Sequence, residues 1–119
     1  MSSMKSEKIM VVEDEWVVAD QLCSNLKNLG YEVCSTASTG DDAVRKVETE
    51  RPDLILMDIV LKGKMDGIEA AKRIVSQFNI PVIYLTAYTK REYIERAKQT
   101  MPFGYLVKPF TEQELYSNI

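Results

Sequence analysis

Five short apolar runs, each followed by a stretch whose apolar residues recur at helical spacing, dominate this chain and leave few folds open to it. Ile9-Met10-Val11-Val12 stops at Glu13-Asp14-Glu15, as a strand buried on both faces does. From Trp16 to Leu29 the period changes: Val18, Leu22, Leu26 and Leu29 form one helical stripe, with Gly30 as the C-terminal stop. Tyr31 to Ala37 alternates loosely as a second strand. Thr39, with Asp42 three residues on, opens a helix that carries Ala43, Val44 and Val47 and ends before Pro52. Asp53-Leu54-Ile55-Leu56-Met57-Asp58 is the most strand-like segment. Gly63, Asp66 and Gly67 mark an irregular loop before a helix with Ile68, Ala71, Ile74, Val75 and Phe78. Pro81-Val82-Ile83-Tyr84-Leu85 reads as a fourth buried strand ending at Thr86-Ala87, followed by a more polar helix from Lys90 to Thr100 with Ile94 and Ala97 inward. Gly104-Tyr105-Leu106-Val107 is the fifth strand. Lys108-Pro109 breaks it, and Thr111 with Glu114 makes a capping box for a last helix.

Strand then helix, five times over, predicts an α/β protein: a doubly wound, five-stranded parallel sheet flanked by five helices. The 119 residues suffice for one domain with a core of its own, expected over 8–119 after a flexible N-terminal segment, 1–7. The last helix has only about nine residues, short of the usual three turns, and is expected to be truncated from a longer protein. Fifteen basic against eighteen acidic residues give a net charge of −3, and so no general attraction to nucleic acid or an anionic membrane surface. The basic cluster Lys90, Arg91, Arg96 and Lys98 is interleaved with Glu92 and Glu95 and reads as a solvated helix face. No window approaches the ~20 apolar residues of a membrane span. Cys23 and Cys34 form no C-x-x-C pair and read as small buried hydrophobes in a cytoplasmic protein. The chain has no histidine, which excludes imidazole metal sites, Ser-His-Asp and Cys-His catalysis, and a role as phosphohistidine donor.

In an open α/β sheet the ligand site lies beyond the carboxyl ends of the strands. The first strand delivers Glu13 and Asp14 to that edge, the third Asp58, the fourth Thr86 and the fifth Lys108. Each is ordinary alone; together they describe a site. Three carboxylates in one crevice repel, each pair by about 4 kcal/mol at ~4 Å and an effective dielectric near ~20. Protonation offsets this by raising pKa values, and a hard divalent cation does so directly; an all-oxygen site without histidine favours Mg²⁺ or Mn²⁺ over zinc. A lysine and a threonine hydroxyl beside such an ion suit phosphoryl transfer, whose demands are positioning and charge neutralisation. Asp58, held rigidly after four apolar residues, is the expected nucleophile; Glu13 and Asp14 are the expected metal ligands.

These residues resemble the response-regulator receiver family, the CheY-like domains of two-component signalling, from Lys8 to Ile119. The resemblance is carried by Val11-Val12-Glu13-Asp14-Glu15, Leu56-Met57-Asp58-Ile59, Met65-Asp66-Gly67, Pro81-Val82-Ile83-Tyr84-Leu85-Thr86-Ala87 and Gly104-Tyr105-Leu106-Val107-Lys108-Pro109-Phe110, in that order. It implies the flavodoxin-like strand order 2-1-3-4-5 and a phosphoacceptor role for Asp58, loaded by a sensor histidine kinase or phosphotransfer protein. It further implies Mg²⁺ at Glu13, Asp14, Asp58 and the backbone carbonyl of Val60, with Thr86 and Lys108 on the phosphoryl oxygens and a cis Lys108-Pro109 bond. Thr86 and Tyr105 become the switch pair: Thr86 moves toward the phosphate, Tyr105 turns inward, and the surface of the fourth helix, fifth strand and fifth helix repacks to address an output domain, a downstream protein or a second copy. The chain departs from the family at Leu61-Lys62-Gly63-Lys64, where many receivers have Met-Pro. Val60 and Tyr88, bulky or apolar where water would approach, imply a long-lived phosphoryl state.

Two other readings compete. A receiver-like interaction module that works without phosphorylation is opposed by the complete set Glu13, Asp14, Asp58, Thr86 and Lys108. A magnesium phosphohydrolase of the haloacid-dehalogenase type would need a second acid two residues beyond the nucleophile, and that position holds Val60. Neither G-x-G-x-x-G nor G-x-x-x-x-G-K-[ST] occurs, which removes the common nucleotide-binding loops.

Overall fold

The computed structural model describes residues 7–86, 91–100 and 102–119. Its elements are β1 (Lys8–Val12), α1 (Trp16–Asn28), β2 (Glu32–Ala37), α2 (Gly40–Glu50), β3 (Leu54–Asp58), α3 (Gly67–Phe78), β4 (Val82–Thr86), α4 (Arg91–Lys98), β5 (Gly104–Val107) and α5 (Glu112–Asn118). All strand pairs are parallel, in the order β2-β1-β3-β4-β5. The expected α/β architecture is therefore the observed one. The expectation for the N-terminal segment falls outside the described residues up to position 6; Glu7 already accepts a backbone hydrogen bond from Glu32 at 2.9 Å.

Because side chains alternate across a strand, each central strand feeds two cores. Ile9, Val11, Leu54, Leu56, Ile83, Leu85 and Leu106 face α1 and α5, meeting Leu22, Leu26 and Leu115. Met10, Val12, Ile55, Met57, Val82 and Tyr84 face the opposite layer, where α2 contributes Val47, α3 contributes Ile68 and Ile74, and α4 contributes Ala97. The doubly buried runs of β1, β3 and β4 explain why they lack a polar-apolar alternation. β2 is an edge strand with mixed burial, which is why its pattern is loose.

Helix limits follow local chemistry. Thr39 accepts a hydrogen bond from the Asp42 amide at 3.1 Å at the start of α2, and Thr111 and Glu114 form the expected reciprocal box at α5. Asp66 caps α3 through the Glu69 amide at 2.9 Å. Some stripe residues lie less deep than expected: Val18, Leu29, Val44, Val75, Phe78 and Ile94 are half-buried, at the margins where a helix rolls away from the sheet. Cys23 and Cys34 are likewise half-buried free thiols rather than fully enclosed. Among the described residues no helix is long and apolar enough to cross a membrane.

Candidate functional site

Strand order reverses between β1 and β3: the chain leaves β1 toward β2 on one side and later crosses to β3 on the other. A crevice forms at such a point because successive connections diverge. Val12 pairs with Met57, so Glu13 and Asp58 leave the sheet beside one another. The Glu13 amide stays anchored to the Ala37 carbonyl at 3.0 Å, which fixes where its side chain begins. Asp58 is opposite Leu85 on β4, and Thr86 is opposite Val107 on β5. The Lys108 amide donates to the Thr86 carbonyl at 2.7 Å, carrying the lysine to the same rim.

The carboxylates of Glu13, Asp14 and Asp58 each place an oxygen within 4.8 Å of the others. Glu13 and Asp58 are buried, and Asp14 is half-buried at the mouth. Lys108 Nζ donates to Glu13 Oε1 at 2.6 Å and to Asp58 Oδ2 at 3.1 Å. The second oxygens are engaged by backbone: Glu13 Oε2 accepts from the Glu15 amide at 3.2 Å, and Asp58 Oδ1 from the Val60 amide at 3.3 Å. Burial pushes the Glu13 carboxyl up to about 7 from its usual 4.5; the Lys108 hydrogen bond opposes that rise and Asp58 adds to it. Burial alone would lower the Lys108 ammonium, but its bond to Glu13 and the charge of Asp58 outweigh this and leave it above an ordinary lysine. The donor set is three clustered carboxylates with neither nitrogen nor sulfur, which fits a hard divalent cation.

The structure thus brings together Glu13, Asp14, Asp58 and Lys108, with Thr86, buried, at the end of the neighbouring strand. Val60 sits on the exposed rim two residues past Asp58, and Tyr88 lies outside the described residues. Lys62 and Lys64 are solvated, while Leu61 before them and Met65 beyond them sink into the core and hold the loop down. The Lys108-Pro109 bond is cis. Tyr105 stands opposite Tyr84 in the sheet register, ring centroids 6.1 Å apart and tilted by 33°. Its hydroxyl is buried and, among the described residues, has no hydrogen-bond partner.

One contact was not legible in the sequence beyond the presence of a glycine. The Gly67 amide donates to the Ile59 carbonyl at 2.8 Å, and a Cβ on Gly67 would stand 1.9 Å from the Asp58 carbonyl oxygen. Only glycine lets α3 start directly under the acidic crevice.

This crevice at the switch point of a 2-1-3-4-5 sheet is that of a receiver domain. The family model for the response regulator receiver domain matches residues 9–119, and the chain belongs to that family. Its relatives carry the fold in several settings. The chain is 37% identical over 108 residues to the transcriptional regulatory protein PdtaR of Mycobacterium tuberculosis, covering 91% of this chain and 52% of that protein. It therefore spans about half the length of the curated relatives it matches. The signal receiver domain of a modulated diguanylate cyclase from Desulfovibrio desulfuricans superposes with a TM-score of 0.91 at 38% identity, over 96% of this chain and 90% of that one. The receiver domain of a sensor histidine kinase from Pseudomonas aeruginosa, with a magnesium ion coordinated in its active site cleft, gives 0.85 at 36% identity, over 95% and 93%. Receiver domains are phosphorelay modules rather than enzymes acting on a free substrate, and the phosphohydrolase alternative is set aside on that ground.

Proposed function

We propose that the chain is a phosphoacceptor signalling domain that takes a phosphoryl group from the phosphohistidine of a sensor histidine kinase or phosphotransfer protein onto Asp58. The observation that carries this is the convergence of three carboxylates within 4.8 Å, with one lysine nitrogen bonded to two of them. An Asp58 oxygen forms the new O–P bond as the donor's N–P bond breaks, and the bonding pair leaves on the donor's imidazole nitrogen. Glu13, Asp14, Asp58 and the Val60 carbonyl would hold Mg²⁺ or Mn²⁺, which when bound neutralises charge on the phosphoryl oxygens. The magnesium reported in the cleft of the Pseudomonas relative supports this choice.

Lys108 exchanges its contact with the Asp58 carboxylate for one with a phosphoryl oxygen, and the Thr86 hydroxyl donates to another. The added charge of about −1.5 to −2 biases Thr86 and Tyr105 toward a second packing, so that the face made by α4, β5 and α5 changes. That face addresses an output domain, a downstream protein or a second copy of the chain. Incubation with acetyl phosphate and Mg²⁺ is expected to add one phosphoryl mass to the protein, and Asp58→Ala to abolish it. Beryllofluoride with Mg²⁺ is expected to change the fluorescence of Trp16, which is 78% exposed two residues past Asp14. A protein that neither gains the mass nor responds to beryllofluoride would instead be the phosphorylation-independent module.

A further inference from the structure

α4 is lightly held, and its few ties are informative. Among its described side chains only Ala97 is buried; Arg91, Glu92, Glu95, Arg96 and Lys98 are exposed and Ile94 is half-buried. Among the described residues two polar ties supplement that packing. Just past the helix, Thr100 Oγ1 donates to the Ala97 carbonyl at 2.6 Å and so accepts from the Tyr84 hydroxyl at 2.8 Å, which fastens the C-terminal end of α4 to the middle of β4. The other tie runs from Arg96 Nη1 to Asp66 Oδ2 at 3.0 Å. Helix spacing offers Arg96 a different partner, Glu92 one turn back. Among the described residues its ion pair is instead with Asp66.

Asp66 is not a loose surface acid. Its Oδ1 caps α3 at the Glu69 amide, and the next residue, Gly67, is hydrogen-bonded to the Ile59 carbonyl and packed directly under the Asp58 carbonyl oxygen. Gly67 puts no side chain between the Asp58 carbonyl and the start of α3, so a displacement there meets backbone directly. With the pair's side chains 44% and 28% exposed, solvation leaves it little weight in stability. What it joins is the segment beneath Asp58 and the helix at one edge of the output face.

We propose that Arg96 is a positioning residue: through its ion pair with Asp66 it transmits a change at the Asp58 loop to α4. This rests on the phosphoacceptor reading and assigns it a route. The test uses ¹⁵N-labelled protein with and without beryllofluoride and Mg²⁺, reading amide shifts at Ile59 and Gly67 on the acceptor side and at Glu95 and Ala97 on α4. It compares wild type, Arg96→Met, Arg96→Lys, Asp66→Asn and the Arg96→Met/Asp66→Asn double variant. Asn keeps the cap on α3 while removing the charge.

Acceptor-side shifts are expected to be the same in all five proteins. The α4 shifts are expected to fall to about half or less in Arg96→Met and Asp66→Asn, with no further loss in the double variant and recovery in Arg96→Lys. Unchanged α4 shifts in the single variants, or losses that add in the double variant, overturn the proposal. A wild type without acceptor-side shifts sinks the phosphoacceptor reading instead. The ion-pair route is then judged on the unliganded spectra, where Asp66→Asn must still move the Glu95 and Ala97 amides.

Discussion

Tyr84 and Tyr105 stand side by side on neighbouring strands, and their hydroxyls meet opposite circumstances. Burial pushes the Tyr84 phenol up to about 12; burial also raises Tyr105, whose hydroxyl has no partner among the described residues. Withdrawing a hydroxyl from water without replacing its hydrogen bond costs about 1–3 kcal/mol, whereas a bond that is made contributes about 1 kcal/mol. Tyr105→Phe is therefore expected to leave stability unchanged or raise it by about 1 kcal/mol, and Tyr84→Phe to lower it by about 1 kcal/mol, both read by urea unfolding. If Tyr105→Phe proves the more damaging, its hydroxyl has a partner in solution. The sequence marks Tyr105 through its place between Gly104 and Lys108. It says nothing of the bond at Tyr84, because Thr100 reaches it only once the helix has been laid against the sheet.

At the level of elements, what was local in the chain was readable and what was assembled across it was not. Five apolar runs gave five strands, and Thr39, Thr111 and Glu114 announced their helix starts because a cap is decided within one turn. The segment between β3 and α3 read as an irregular loop. It does turn at Gly63, with φ of +96°, yet it is pinned by Met65, whose side chain would stand 3.1 Å from a Cβ on Gly40. Arg96 read as part of a solvated helix face and Asp66 as a marker of the loop, and no periodicity links positions in different elements, so their ion pair was not legible. The tightest point of this segment yields a prediction. Gly67→Ala forces a methyl against the Asp58 carbonyl, and is expected to cost about 3 kcal/mol or more in stability. The same change should blunt beryllofluoride binding, since the acceptor peptide must yield; a variant with wild-type unfolding midpoint and response would show that α3 can retreat freely.

For the molecule as a whole, the acidic cluster couples the fold to pH. The candidate site was legible because strand ends converge wherever a parallel sheet reverses its order, so five residues from four strand ends could be assigned to one rim without any contact being known. Which carboxyl of the cluster would be raised was not legible, because it depends on how completely each side chain is enclosed. The folded value of Glu13, about 7, lies above the ordinary 4.5, so the native state binds its proton more tightly than the unfolded chain does. The resulting stabilisation is present in full below the ordinary value and drains away as pH climbs through the folded one. The urea midpoint is thus expected to decline between about pH 5 and about pH 8, and Glu13→Gln to flatten that decline. An equal slope in the variant would assign the effect to another group.

The paired hydrogen bonds from Lys108 to Glu13 and Asp58 have a consequence for the resting cleft. A cleft that brings its own ammonium as tenant needs no dissolved ion to remain standing. On the phosphoacceptor reading, any incoming group must first evict an occupant that belongs to the chain itself.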